Sequence, residues 1–353
     1  MDAVYRDLAA HLDNLPGGYP PTESGVELRI LQRLFSPEEA AFAAQMTLIP
    51  ETPTQVAARL SRDEADVSRM LEDMAQKGLL FRLTKGGTTT YMAAQFVVGI
   101  WEYHLNDLDE ALIRDVNEYL PHLSKEVWQK TPTKQMRVIP VSQTIAADME
   151  IMPYDVAEEL IRKQSKIVVA DCICRKEKEM VGEGCDHPMG VCLSFGAGAH
   201  YYEKNGLGRS IDAEAALKVL ETGREAGLVL QPGNAQKPVN ICMCCGCCCQ
   251  ILKNLKTMDR PALAVHSNYR AAVDAEECTA CGTCVERCHM AAISLGAEAA
   301  EVDPDRCIGC GVCVPDCPTG AMVFREKAET DRYVPPPSMV HTYLNMAKER
   351  GKM

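Results

Sequence analysis

Two cysteine runs constrain this chain more than anything else in it. CTACGTCVERC at 278–288 and CIGCGVCVPDC at 307–317 both read Cys-x2-Cys-x2-Cys-x3-Cys, and Pro318 follows the second. Three thiols at x2 spacing wrap one loop round a site a few ångströms across, and a fourth arrives from a distance. That arrangement suits a cubane iron–sulfur cluster. Zinc favours two separated Cys-x2-Cys pairs over four-cysteine runs. Gly282, Gly309 and Gly311 allow turns tight enough for backbone N–H groups to face the sulfurs.

The paired runs resemble the bacterial two-cluster ferredoxins. In that pattern the fourth cysteine of each run ligates the cluster of the other run. The resemblance therefore implies one [4Fe-4S] cluster on Cys278, Cys281, Cys284 and Cys317, and a second on Cys307, Cys310, Cys313 and Cys288. His289 stands where the pattern usually has proline. Ligation is unaffected, and a hydrogen bond or pH sensitivity near one cluster is the expected consequence.

The chain has 353 residues and 18 cysteines, so ten cysteines lie outside the two runs. A secreted disulfide protein could be as cysteine-rich, but the acidic opening MDAVYRDLAAHLDN lacks an apolar core and a cleavage signature. No apolar stretch is long enough to span a membrane, and MAAQFVVGIW at 92–101 is too short. A reducing, cytoplasmic setting is expected for so many thiolates. The formal charge of −12 argues against general nucleic-acid affinity, because phosphate binding needs a basic surface.

The expected fold class is α+β multidomain. Residues 1–103 form a helical domain, 104–135 a helical linker interrupted near Pro121, and 136–265 a cysteine-rich α/β middle domain. The dicluster ferredoxin-like domain covers 266–326, and 327–353 is a tail. Ser36-Pro37-Glu38-Glu39 is a helix start with a capping residue, Pro at the first position and acids in the first turn. Two short helices, a stop at Gly78 and two strands joined by KGG follow within 51–95. This segment resembles the winged-helix domains of bacterial regulators. Its six basic residues, Arg59, Arg62, Arg69, Lys77, Arg82 and Lys85, are matched by six acids, and Asp66, Glu72 and Asp73 sit on the would-be recognition helix. Acids there oppose phosphate neutralisation. DNA is not the expected partner, and docking or homodimer formation is the expected use. In the middle domain, MRVIPV at 136–141 and KIVVAD at 166–171 read as strands. Pro153 opens a helix, and Asp212 caps another that ends at Gly227.

The ten remaining cysteines fall in two groups. Cys172, Cys174, Cys185 and Cys192 form the first. Cys242, Cys244, Cys245, Cys247, Cys248 and Cys249 crowd into ICMCCGCCC. Such a run would oxidise or scavenge metal unless occupied. Neighbouring side chains on a strand point to opposite faces, so all six cannot meet one metal. One or two further iron–sulfur clusters shared between the groups are expected, with zinc as the alternative. Cys172 and Cys174 are expected at a strand end with both thiols on one face, and Arg175 beside a cluster sulfur. CCG at 244–246 resembles the cysteine-rich domains of heterodisulfide reductases, which hold a non-cubane cluster, although the other spacings depart from that pattern. His187 is read as a loop residue. FGAGAHYYEKNGLGR at 195–209 lacks a nucleotide-binding spacing.

The expected function is single-electron transfer, as a carrier or as a subunit of an oxidoreductase. Residues 270–326 hold ten acids against four arginines. Negative charge disfavours adding an electron and pushes towards the low end of a range of roughly −700 to +450 mV. A redox partner with a basic docking patch fits that surface. The alternatives are a redox-sensing regulator with a winged-helix output, and an enzyme subunit performing reductive chemistry at an unusual cluster. No acid–base set near the cysteines names a substrate.

Overall fold

The computed structural model describes residues 2–141 and 152–352; residues 142–151 of the expected middle domain lie outside the described residues. The chain divides into two compact units, neither of them continuous in sequence. One gathers Met1–Thr133, Gly196–Ser210 and Tyr343–Met353, and the other Lys134–Phe195 and Ile211–Thr342.

In the first unit, local sequence signals set the helix starts. Ser36 accepts from the Glu39 N–H while Glu39 accepts from the Ser36 N–H, and Thr52 and Gln55 repeat the same reciprocal cap. Pro37 and Pro53 occupy first-turn positions whose N–H groups would have no partner in any case. The helices Pro53–Leu60 and Glu64–Gln76 pack together, the second burying Val67, Leu71, Met74 and Ala75 at helical spacing. Gly78 (φ 83°) ends that helix. The strands Leu80–Lys85 and Thr88–Ala93 then pair antiparallel with Lys85 opposite Thr88. Their two-residue turn uses Gly86 (φ 57°) and Gly87 (φ 81°), the positive-φ pair that matches the twist of a tight hairpin.

The segment expected as a linker behaves differently. The helix Glu110–Leu123 packs on the helix Val26–Leu34 and buries Leu112, Ile113, Val116, Tyr119 and Leu120. It runs through Pro121, and a wide turn, Ser124–Trp128, follows it. The glycine-rich stretch after Phe195 also belongs to this unit, as the helix Gly196–Lys204. Tyr201 donates its hydroxyl to the carbonyls of Ala75 (2.9 Å) and Leu80 (3.1 Å), and Asn205 donates to Ala75 (2.7 Å). These bonds tie residues 196–205 to the end of the helix Glu64–Gln76 and to the start of the strand Leu80–Lys85. Residues 343–353 close the unit: Arg350 and Lys352 both reach Asp13 at 2.9 Å.

The second unit is built on an antiparallel sheet. The strand Ile167–Ala170 pairs with Cys192–Phe195, which pairs with Asn240–Cys244, which pairs with Val229–Pro232. MRVIPV forms no regular strand. It makes only isolated bridges to the edge strand, Met136 with Gly233 and Ile139 with Leu230. On either side of Ile139, Val138 donates to His266 O (3.0 Å) and Val141 donates to Cys310 O (3.2 Å). The alternate amides thus bond to the dicluster segment. In that segment Tyr269–Val273 pairs with Met322–Glu326 and Ile293–Leu295 with Ala300–Val302. One apolar core takes in Leu193, Leu230, Ile241 and Cys244 together with Met290, Ala292, Ile308 and Val312. No packing boundary therefore falls near 265–266.

Candidate metal centres

The two cysteine runs enclose two cavities in the second unit. One, of about 330 Å³, is lined by Cys278, Cys281, Cys284 and Cys317. The other, of about 370 Å³, is lined by Cys288, Cys307, Cys310 and Cys313. Each thus takes three cysteines of one run and the last of the other. Backbone amides aim at the sulfurs. Ala300 N–H donates to Cys278 (3.4 Å) and Met322 N–H to Cys317 (3.3 Å). Ala292 N–H donates to Cys288 (3.2 Å) and Ala271 N–H to Cys307 (3.5 Å). Gly282, Gly309 and Gly311 have φ of 85°, 69° and 73°. At Gly309 a Cβ would lie 2.1 Å from Tyr269 O, so only glycine fits.

The two cavities differ in their exposure. Cys281 is exposed, whereas Cys310 and Cys313 lie against the interior. Burial pushes the Cys310 thiol up to about 12 and Cys313 higher still. Thiols so shifted would stay protonated as bare side chains, and a bound metal is what makes such groups thiolates. Hydrogen bonds from the Thr283 side chain and backbone draw the Cys281 thiol down. Donors already aimed at sulfur, glycine-permitted turns and cavities lined by four thiols all fit a cubane.

The other ten cysteines separate into two sets. Cys172 caps the helix Ile173–Met180, and Cys174 sits in its first turn, so the pair belongs to a helix start and not to the strand end expected from sequence. The reason is local: the strand stops at Ala170, and Cys172 turns the chain into the helix. From Cys174 thiol contacts run to Cys172 and Cys249, from Cys249 to Cys244, from Cys244 to Cys242, and from Cys242 to Cys192 at 3.9 Å. Cys242 and Cys244 share one strand face, two residues apart. Gln231 donates to Cys249 (3.8 Å) and Asn240 to Cys242 (3.5 Å). Hydrogen bonds from neighbouring thiols hold Cys242 and Cys249 well below the usual thiol range, while their donors Cys174 and Cys244 are pushed up.

The second set is Cys185, Cys245, Cys247 and Cys248. Cys185 lies 4.0 Å from Cys245 and 3.5 Å from Cys248. His187, read from the sequence as a loop residue, belongs here: ligand atoms of Cys185, His187, Cys245 and Cys247 all lie within 4.8 Å of one another. The Cys-x-His spacing at 185–187 was the available signal. Arg175 is 1 % exposed; it donates to Met243 O (3.2 Å) and Cys245 Sγ (3.6 Å). Burial alone would lower its pKa, but the Cys172, Cys245 and Cys244 sulfurs outweigh this and raise it.

His289 ties the dicluster segment to the cysteine-rich loop. Gly246 N–H donates to its Nδ1 (3.1 Å), and its Nε2 lies 2.7 Å from Gly227 O. A carbonyl only accepts, so the proton sits on Nε2 and the ring is neutral. Burial, the largest influence, also lowers its pKa. The position that resembles a ferredoxin proline is thus a fixed hydrogen-bonding strut.

A family model for the 4Fe-4S dicluster domain matches residues 277–321, the segment that lines both cavities. No curated protein and no solved structure matches the chain. The dicluster segment supports an iron–sulfur electron-transfer role. Among the described residues, no helix is long and apolar enough to cross a membrane.

Proposed function

We propose that this protein carries single electrons at low potential between redox partner proteins. In this reading Cys278, Cys281, Cys284 and Cys317 hold one [4Fe-4S] cluster, and Cys307, Cys310, Cys313 and Cys288 hold the other. The observation that carries it is the composition of the two cavities, three thiols from one run and the fourth from the other. A bound cubane supplies reversible one-electron chemistry. The chain supplies thiolates, N–H donors to the sulfurs and a shell that sets the potential. The excess of acids over residues 270–326 opposes added negative charge and favours low potential. The exposed rim around Cys281 gives the outer site access to a partner, and a basic patch on that partner would complement the acidic surface.

The linked thiols of Cys172, Cys174, Cys192, Cys242, Cys244 and Cys249 are the best candidate for a further iron–sulfur centre. Six thiols exceed what one tetrahedral metal takes, and the set accepts hydrogen bonds from Gln231 and Asn240. For the first unit we favour a winged-helix docking module over a DNA reader. Its basic side chains are engaged with acids: Arg69 with Asp66, Lys77 with Glu39 (2.6 Å), and Arg59 with Glu51 (2.7 Å). A cytoplasmic, reducing compartment suits the thiol inventory.

Cys317→Ser is the direct test, on full-length anaerobic protein. The expected result is loss or conversion of the cluster bound by Cys278, Cys281 and Cys284, with the other intact, read by iron content and EPR. Loss of the other cluster alone refutes the crossed ligand sets.

A further inference from the structure

Sulfur spacing distinguishes the kinds of metal site that thiols can share. A single tetrahedral metal with Zn–S bonds of about 2.3 Å holds its sulfurs about 3.8 Å apart. A cubane interposes four irons and four sulfides, and its thiolates stand much farther apart round a cavity. The dicluster runs show the second arrangement, with the four thiols of each set lining the wall of a cavity. Cys185, His187, Cys245 and Cys247 show the first. Their ligand atoms all lie within 4.8 Å of one another, and Cys185 and Cys245 are 4.0 Å apart. No cubane fits inside a ring of donors so tight.

Charge supplies an independent observation. Arg175 is buried, and the side-chain partner its guanidinium reaches is the Cys245 sulfur at 3.6 Å. Its Nε is buried with no protein partner. A buried guanidinium requires a nearby anion. A neutral thiol cannot provide one, and a metal-bound thiolate does. Three thiolates on a divalent cation leave one net negative charge at the Cys245 end of the guanidinium, while the Cys172 and Cys244 sulfurs of the other set face it as well.

We propose that Cys185, His187, Cys245 and Cys247 form a closed mononuclear Cys3His site for zinc, separate from the iron–sulfur centres. Three thiolates and one imidazole are among the donor sets that structural zinc takes. Cys248 lies outside the ligand set: its S–H points at Cys185 Sγ (3.5 Å), a hydrogen bond to a ligand sulfur. The site joins the loop around Cys185 and His187 to the turn Cys245–Cys247. Zinc has no redox chemistry, so this site fixes the loop beside the electron-carrying centres without joining their path. The assignment deepens the electron-transfer reading but does not depend on it, because its readout is zinc and not electron flow.

The test is metal analysis and zinc-edge X-ray absorption on full-length protein purified anaerobically without added zinc. One zinc per chain is expected, with three sulfur neighbours at about 2.3 Å and one nitrogen at about 2.0–2.1 Å. Cys247→Ser and His187→Ala should each lower bound zinc at least tenfold after dialysis against a chelator, while the EPR of the dicluster segment persists. His187→Cys should retain zinc in an all-sulfur shell, and Cys248→Ala should retain it unchanged. Zinc absent from the wild type overturns the proposal, as does iron lost in its place from Cys247→Ser. Loss of the metal from Cys248→Ala as complete as from Cys247→Ser also overturns the Cys3His assignment. If Cys247→Ser and His187→Ala do not fold, the wild-type absorption spectrum and the His187→Cys shell still decide the matter.

Discussion

Glu72 holds together the charged cluster of the first unit, and Glu72→Gln measures what that is worth. Its carboxylate meets Arg82 at 2.7 Å and Lys204 at 3.0 Å, and it accepts from the Tyr91 hydroxyl at 2.7 Å. Burial alone would raise its pKa, but the bonds from Tyr91, Lys204 and Arg82 win and take it from 4.5 to about 2. A depression of that size corresponds to roughly 3 kcal/mol at neutral pH. The Glu72 side chain is 41 % exposed, so solvent screening cuts this to roughly 1–2 kcal/mol. The glutamine amide oxygen can still accept from Arg82, but the Arg82 side chain, 1 % exposed, then keeps its charge without a carboxylate beside it. Breaking a fully buried pair costs roughly 3–5 kcal/mol. A half-exposed partner places the expected loss near about 2 kcal/mol. Both tryptophans, Trp101 and Trp128, lie in this unit, so tryptophan fluorescence during urea unfolding reports on it alone. Because the folded pKa is depressed, the stabilisation is complete above about pH 4.5 and fades as pH falls towards 2. By pH 3.5 roughly two fifths of the gap between wild type and variant should be gone. A gap below about 0.5 kcal/mol at pH 7, or one unchanged at pH 3.5, refutes this account.

His289→Pro restores the residue that a ferredoxin usually carries there and deletes two hydrogen bonds. It should cost roughly 1–3 kcal/mol in urea unfolding followed by cluster absorbance, and His289→Gln should lose less. Gly309→Ala, whose Cβ would meet Tyr269 O, should abolish the cluster proposed for Cys288, Cys307, Cys310 and Cys313 and spare its neighbour, as read by iron content and EPR. Selection against random DNA duplexes, run anaerobically and again after oxidation, should enrich no motif. A sequence preferred roughly 10³-fold over background would instead establish a DNA-reading regulator.

The sequence made some of this legible and hid the rest, for physical reasons. The cysteine linings of the two dicluster cavities were readable because three of four lie within one loop, where spacing nearly dictates geometry. The helix caps at Ser36 and Thr52 were equally local. The partition of the ten other cysteines was not readable. Cys192 meets Cys242 because their strands pair, and Cys185 reaches Cys245 by the return of a loop; neither relation is written in spacing. Residues 196–210 were hidden for another reason. Four glycines in FGAGAHYYEKNGLGR mask a helix that tertiary bonds from Tyr201 and Asn205 secure. Pro121 misled because a proline near the end of a helix costs little when packing on the helix Val26–Leu34 holds the rest.

Asp13 waits a long time for its partners. Arg350 lies 337 residues further along the chain. At translation rates of 5–20 residues per second, roughly 20–70 s separate their emergence from the ribosome. Residues 196–210, which close the end of the helix Glu64–Gln76, also arrive late. The first unit is thus completed only after residues 134–195 and 211–342 have been made, and all 18 cysteines are synthesised in the interval. The nascent chain must therefore keep its thiols reduced, or pass them to metal, before that unit can close.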